Sequence, residues 1–155
     1  MTKFLLSLHV LAAIIAIGPV TVAASMFPPA ARRAQTAGPD AAALGTVRLL
    51  HRICRVYAGI GLAVPVFGFA TASSLGVLGD TWLIISIALT AGAAGVLALL
   101  VLPRQDALLE QLDGATAPVE RSHTARLAMF TGIFNLLWAV VTVLMIIRPG
   151  STTGA

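Results

Sequence analysis

Four long apolar runs separated by short polar stretches make up most of this chain. They cover residues 4–26, 56–74, 81–102 and 127–147, and each is close to the roughly 20 residues an α-helix needs to cross the hydrocarbon core of a bilayer. Hydrocarbon offers no water to the backbone, so a run of this kind must satisfy its own N–H and C=O groups as a helix. The pattern therefore predicts an all-α protein, a single integral membrane four-helix bundle over residues 1–155, with no room for a second domain.

The residues between and within the runs refine this. Pro28 and Pro29 after Phe27, and Pro103 after Leu102, are expected to end the first and third helices, because proline lacks an N–H and its ring clashes with the preceding turn. Pro19, following Gly18, and Pro65, among Gly59, Gly61 and Gly68, sit inside spans one and two and predict kinks or local openings there. Lys3 ahead of the first run and Ala23-Ala24-Ser25 near its end resemble a secretory leader. The run is nonetheless long enough to span and three more follow, so it reads as a retained first helix. Gly38-Pro39-Asp40 has the residues of a turn and a helix N-cap, from which the chain is expected to run helically into the second span. Residues 104–112 read as a short amphipathic helix outside the membrane, closed by Asp113-Gly114.

Composition agrees with this picture: 58% of the 155 residues are hydrophobic and 10% charged, whereas soluble domains carry about a quarter charged residues. The placement of charge adds more. Arg32, Arg33, Arg48, Arg52 and Arg55 fall in the connection 27–55, and Arg104, Arg121 and Arg126 in the connection 103–126. The opposite side holds Lys3, Arg148 and a second connection with no lysine or arginine. By the positive-inside rule both basic connections are cytoplasmic loops and both termini lie outside, in the cell's inner (plasma) membrane. The net charge of +4 does not imply nucleic acid, since the arginines flank apolar spans where anionic lipid headgroups are the expected partner. Arg48, Arg52 and Arg55 share one helical face, the pattern of a helix entering the interface obliquely. A single cysteine, Cys54, excludes an intramolecular disulfide and a CxxC metal site.

Candidate chemistry is sparse. There is no GxxxxGKS/T, HExxH or GxSxG motif, so no catalytic residue is assigned and the chain is not expected to be an enzyme. No span carries a charged residue in its central part, which argues against ion-coupled transport. Of the three histidines, His51 stands at the mouth of the second span and His123 beside Glu120 in a polar loop, leaving His9 within a span. A histidine there either bonds a neighbouring helix carbonyl or ligates a cofactor. His51 lies about 20 Å or more from His9 by helical rise and cannot share its iron. Met145, near the outer end of the last span, is the soft ligand at a similar level, so His9 with Met145, or His9 with its copy in a second protomer, would hold a haem b. Asn135 is the deepest strongly polar side chain and needs a partner on another helix, with Ser86, Thr90 or a carbonyl freed by Pro65 as candidates. In the third span Ala88 and Gly92, and Ala91 and Gly95, stand four apart, a spacing that lets helix backbones approach closely.

The opening Leu5-Leu6-Ser7-Leu8-His9-Val10-Leu11-Ala12-Ala13, the basic stretch leading into a Gly/Pro-containing second span, and Val101-Leu102-Pro103-Arg104 at the end of the third resemble the DUF2269 group of small four-helix membrane proteins. That group is in turn similar to the CopD-like copper-resistance membrane domain and the HemJ-type protoporphyrinogen oxidases, which share a leucine-flanked histidine on the first helix. The HemJ likeness implies haem on His9, although Gly18-Pro19 stands where those proteins carry a tryptophan- and glycine-containing segment. The leading expectation is an accessory or interaction subunit that packs through small-residue helix faces, against a second copy or other membrane subunits. Two other readings stay open: a haem- or quinone-handling redox protein using His9, and a small-molecule channel or carrier lined at Pro19 and Pro65.

Overall fold

The computed structural model describes residues 1–37, 41–114 and 118–150, so the turn expected at Gly38, Pro39 and Asp40 lies outside the described residues. The elements are α1 (Thr2–Thr36), α2 (Ala41–Ile60), α3 (Ala63–Leu75), α4 (Thr81–Gly95), a π-helical stretch (Val96–Val101), α5 (Leu102–Gly114) and α6 (Arg121–Ile147). Among the described residues there is no strand. Four helical stretches are long and apolar enough to cross a membrane: Thr2–Thr36, Ala41–Leu75, Thr81–Gly114 and Arg121–Ile147.

Two expected helix ends do not occur. α1 continues through Pro28 and Pro29 to Thr36, and the third stretch continues through Pro103 into α5. Each proline removes one N–H, but its fixed φ suits a helix, and the strain is absorbed differently at the two sites. Past Pro28, the extension of α1 is held by burial of Phe27, Pro28, Ala31 and Ala34. Ahead of Pro103 the helix widens to i→i+5 bonding, with the Leu102 N–H donating to the Leu97 carbonyl. The Arg104 guanidinium then donates to the Leu100 carbonyl at 2.9 Å. The connections 27–55 and 103–126 are consequently mostly helix rather than loop.

Pro19 lies within an unbroken α1. Around Pro65 the chain does break, into α2 and α3. Proline cannot donate to the Gly61 carbonyl and its ring presses on it, and that carbonyl accepts the Val64 N–H at 3.1 Å instead. The opening therefore falls one turn before the proline, at Gly61-Leu62.

α1 is the hub. It packs against α2 and α3 on one side and against α6 on the other, and α6 in turn holds α4. The tightest core lies at the arginine-rich end, where Phe27, Ala31, Val47, Cys54, Val101 and Leu127 are fully buried. A smaller cluster of Ala72, Val77, Trp82 and Leu83 closes the opposite end, with Met145 packed on it. There Gly76 ends α3 at φ +71°, a left-handed conformation that favours glycine, and the Val77 N–H returns to the Ala72 carbonyl. Asp80, at the start of α4, spends its carboxylate on the Trp82 indole N–H at 2.9 Å, and the Arg148 guanidinium lies 5.7 Å from the centre of that ring.

Between these ends the surface is inverted relative to a water-soluble protein. Leu11, Ile14 and Val22 on α1, Phe69 on α3, Leu99 on the third stretch and Leu136 and Ile146 on α6 are exposed, while Ser86 and Thr131 are buried. Exposed apolar positions on α1 run from Phe4 to Met26, about 33 Å of helical rise, which matches a hydrocarbon core of about 30 Å. α1 as a whole rises about 52 Å, so its arginine-bearing turns stand clear of the hydrocarbon.

Candidate functional site

His9 is built into the α1–α3 seam. Its Nδ1–H donates to the Val64 carbonyl at 2.9 Å. A carbonyl only accepts, so the hydrogen must sit on Nδ1, and a neutral ring keeps its lone pair on Nε2. The ring lies so close to Gly68 that a Cβ there would stand 2.9 Å from Cε1 and 3.1 Å from Nδ1. A glycine is required here for space rather than for backbone conformation. Met145 belongs to the end cluster with Ala72, one turn beyond Gly68 on α3, where it acts as a packing side chain.

Asn135 forms an interhelical bond, but with α1. Its amide donates to the Ser25 hydroxyl at 3.1 Å. The expected partners are engaged on their own helix: Ser86 donates to the Trp82 carbonyl and Thr90 to the Ser86 carbonyl, at 2.8 and 2.7 Å. Helical rise accounts for Ser86, since Asn135 lies about 18 Å along α6 from Ile147 and Ser86 about 8 Å along α4 from Thr81. Thr90, at about 14 Å, is within a turn of that level but is turned back onto its own helix. Nor does the Pro65 break supply the partner: the Gly61 carbonyl accepts the Val64 N–H, and the Asn135 amide goes to Ser25.

A second polar site was not foreseen from the sequence. His51 on α2 is buried against α5 and the Phe27 ring, whose centre lies 6.5 Å away. Its Nδ1 lies 3.0 Å from Gln105 Oε1, and the Gln105 amide nitrogen is turned to Cys54 Sγ at 3.6 Å. On the other side Nε2 comes within 2.8 Å of Asp106 Oδ1, at an angle too oblique for a hydrogen bond. This cluster clamps α2 to α5 with polar groups that hydrocarbon or a dry core would otherwise penalise. His51 and Cys54 stand three apart on one helix, but only the fold brings Gln105 and Asp106 to them.

The arginines surround this end. Arg32, Arg33, Arg48, Arg52 and Arg55 are all exposed. Arg48 pairs with Asp113 of α5 at 2.6 Å, and the Arg104 guanidinium stands 4.4 Å from the centre of the Phe130 ring on α6.

Small residues pack inside the chain along α1, at Ala16, Ala23, Ala24, Ala31 and Ala34, and at Ala93 of α4, but others on α4 and α6 face outward. Ala88, Ala91 and Gly92 on α4 are exposed, as are Ala125, Ala128, Gly132 and Ala139 along one face of α6. A Cβ added at Gly92, Gly95 or Gly132 would meet nothing within 4 Å. Within one chain these positions are not packing contacts.

Outward apolar helices, inward polar side chains and four stretches of spanning length define a small polytopic integral membrane protein in contact with lipid. More specifically, the chain belongs to the DUF2269 family, described as "Predicted integral membrane protein (DUF2269)", whose family model matches residues 3–149. No curated protein and no solved structure matches it.

Proposed function

We propose that this protein is an accessory or interaction subunit of the membrane that associates, with a second copy of itself in the first instance, through the small-residue faces of α4 and α6. The observation that carries this reading is the outward placement of Ala88, Ala91 and Gly92, with empty space around Gly92 and Gly132. In lipid, helices gain little from hydrophobicity on meeting, and small residues that let backbones touch supply the packing instead. Spacings of four, as in Ala88–Gly92 and Ala128–Gly132, are those of close helix pairs. The arginine-rich end faces the cytoplasm in this reading, supported by the eight arginines of the two basic connections. Light scattering on the protein in mild detergent tests it: the mass of two or more chains is expected, reduced to one by Gly92→Leu. A wild-type protein that stays monomeric and brings no partner from native membranes removes the proposal.

One observation favours a second reading, a haem-handling protein using His9. Ligating histidines commonly donate their other ring N–H to a carbonyl, as His9 does to Val64. A haem-supplied sample with no Soret band, or with a band unchanged by His9→Ala, eliminates it.

A further inference from the structure

A cleft of about 320 Å³ opens between α1 and α2 where the two helices leave the hydrocarbon. Its floor is apolar, formed by Met26, Ala30 and Leu50, and its rim carries Arg33 and the Thr46 hydroxyl. Met26 is the last of the exposed apolar positions on the membrane-embedded part of α1, so the cleft begins at the edge of the acyl region. Arg33 lies two helical turns further along, about 10 Å by rise, against a headgroup region about 5–7 Å deep on each face of the hydrocarbon, and its long side chain can reach back over the difference. Arg33 makes no ion pair with any described residue, and its neighbour Arg32 is likewise exposed and unpaired among them. The Thr46 hydroxyl donates to the Ala42 carbonyl, which leaves its oxygen free to accept, and among the described residues no carboxylate lines the cleft.

We propose that this cleft is a site for one anionic phospholipid, its phosphate on Arg33 and the start of an acyl chain against Met26, Ala30 and Leu50. Charge and depth agree on this occupant. A zwitterionic lipid would offer the same chain but bring its own cation to the arginines, and a free anion would leave the apolar floor uncovered. The site is independent of the helix faces invoked for self-association.

Native mass spectrometry of the full chain in mild detergent, titrated with phosphatidylglycerol or phosphatidylcholine, tests it. One phosphatidylglycerol is expected to survive activation that strips phosphatidylcholine. Arg33→Gln should weaken that retention about fivefold, the effect of one arginine near an anionic headgroup. Ala30→Trp fills the cleft without changing charge and should abolish the retained lipid, whereas Arg121→Gln, on α6 and outside the cleft, should leave it intact. Melting temperatures check that each variant is folded, and Ala43→Trp serves if Ala30→Trp is not. Equal retention of the two lipids, full competition by inorganic phosphate, or retention untouched by the filled cleft would each overturn the proposal.

Discussion

Replacing Gly68 with alanine tests the His9 seam at a single atom. The added Cβ would stand 2.9 Å from His9 Cε1, whereas ordinary contact begins near 3.4 Å, so the ring must retreat by about 0.5 Å. That retreat stretches the 2.9 Å bond from Nδ1 to the Val64 carbonyl to about 3.4 Å, at the limit of a useful hydrogen bond. An N–H left without its partner in a buried setting costs about 1–3 kcal/mol. Against this, glycine to alanine within a helix gains about 1 kcal/mol. The net expectation for Gly68→Ala is a loss of zero to about 2 kcal/mol. In a His9→Ala background the obstruction is gone and the same substitution should stabilise by about 1 kcal/mol. Gly59→Ala, where an added Cβ meets nothing within 4 Å, supplies the unobstructed reference. Thermal unfolding followed by circular dichroism in detergent measures the wild type, the three single variants and the double variant. If Gly68→Ala stabilises the wild type as much as Gly59→Ala does, His9 is not pinned as described and the reasoning fails.

Three further outcomes follow from the arginine-rich end. Gln105→Leu removes the acceptor facing His51 Nδ1 and the donor facing Cys54, and should lower stability by about 1–3 kcal/mol; a change under 0.5 kcal/mol in the same unfolding assay contradicts the clamp. Arg48→Gln breaks an ion pair whose side chains are 57% and 43% exposed, so its cost should stay below about 1 kcal/mol, and a larger loss means the α2–α5 contact depends on that pair. Cys54 is fully buried, so a maleimide should label it only as the protein unfolds; prompt labelling of the native protein is incompatible with the described core.

Much of the fold was readable because hydrocarbon imposes a length and a composition that few other structures share. The four spans, the weight of arginine at one end and the small-residue spacing in α4 are all local patterns of this kind. The helix ends at Pro28 and Pro103 misled for a physical reason. The local rule counts the lost N–H and the ring clash, and it cannot see the burial of Phe27 and Ala31 or the π-helical widening before Pro103 that absorb them. The partners of polar side chains were harder still. Asn135 clearly needed one, yet choosing Ser25 over Ser86 or Thr90 requires knowing how α6 is staggered against α1 and α4. The His51, Gln105, Cys54 and Asp106 cluster joins residues more than 50 positions apart, which no spacing along the chain announces.

Self-association through α4 and α6 is tested most directly by cysteine cross-linking in vesicles. With Cys54→Ala as background, single cysteines are placed at Gly92→Cys, at Gly132→Cys and, for comparison, at the exposed α3 position Phe69→Cys. Oxidation at high dilution in lipid should yield a covalent dimer from Gly92→Cys or Gly132→Cys and little from Phe69→Cys. Equal yields at all three positions, or none at either glycine, would show that these faces meet lipid alone.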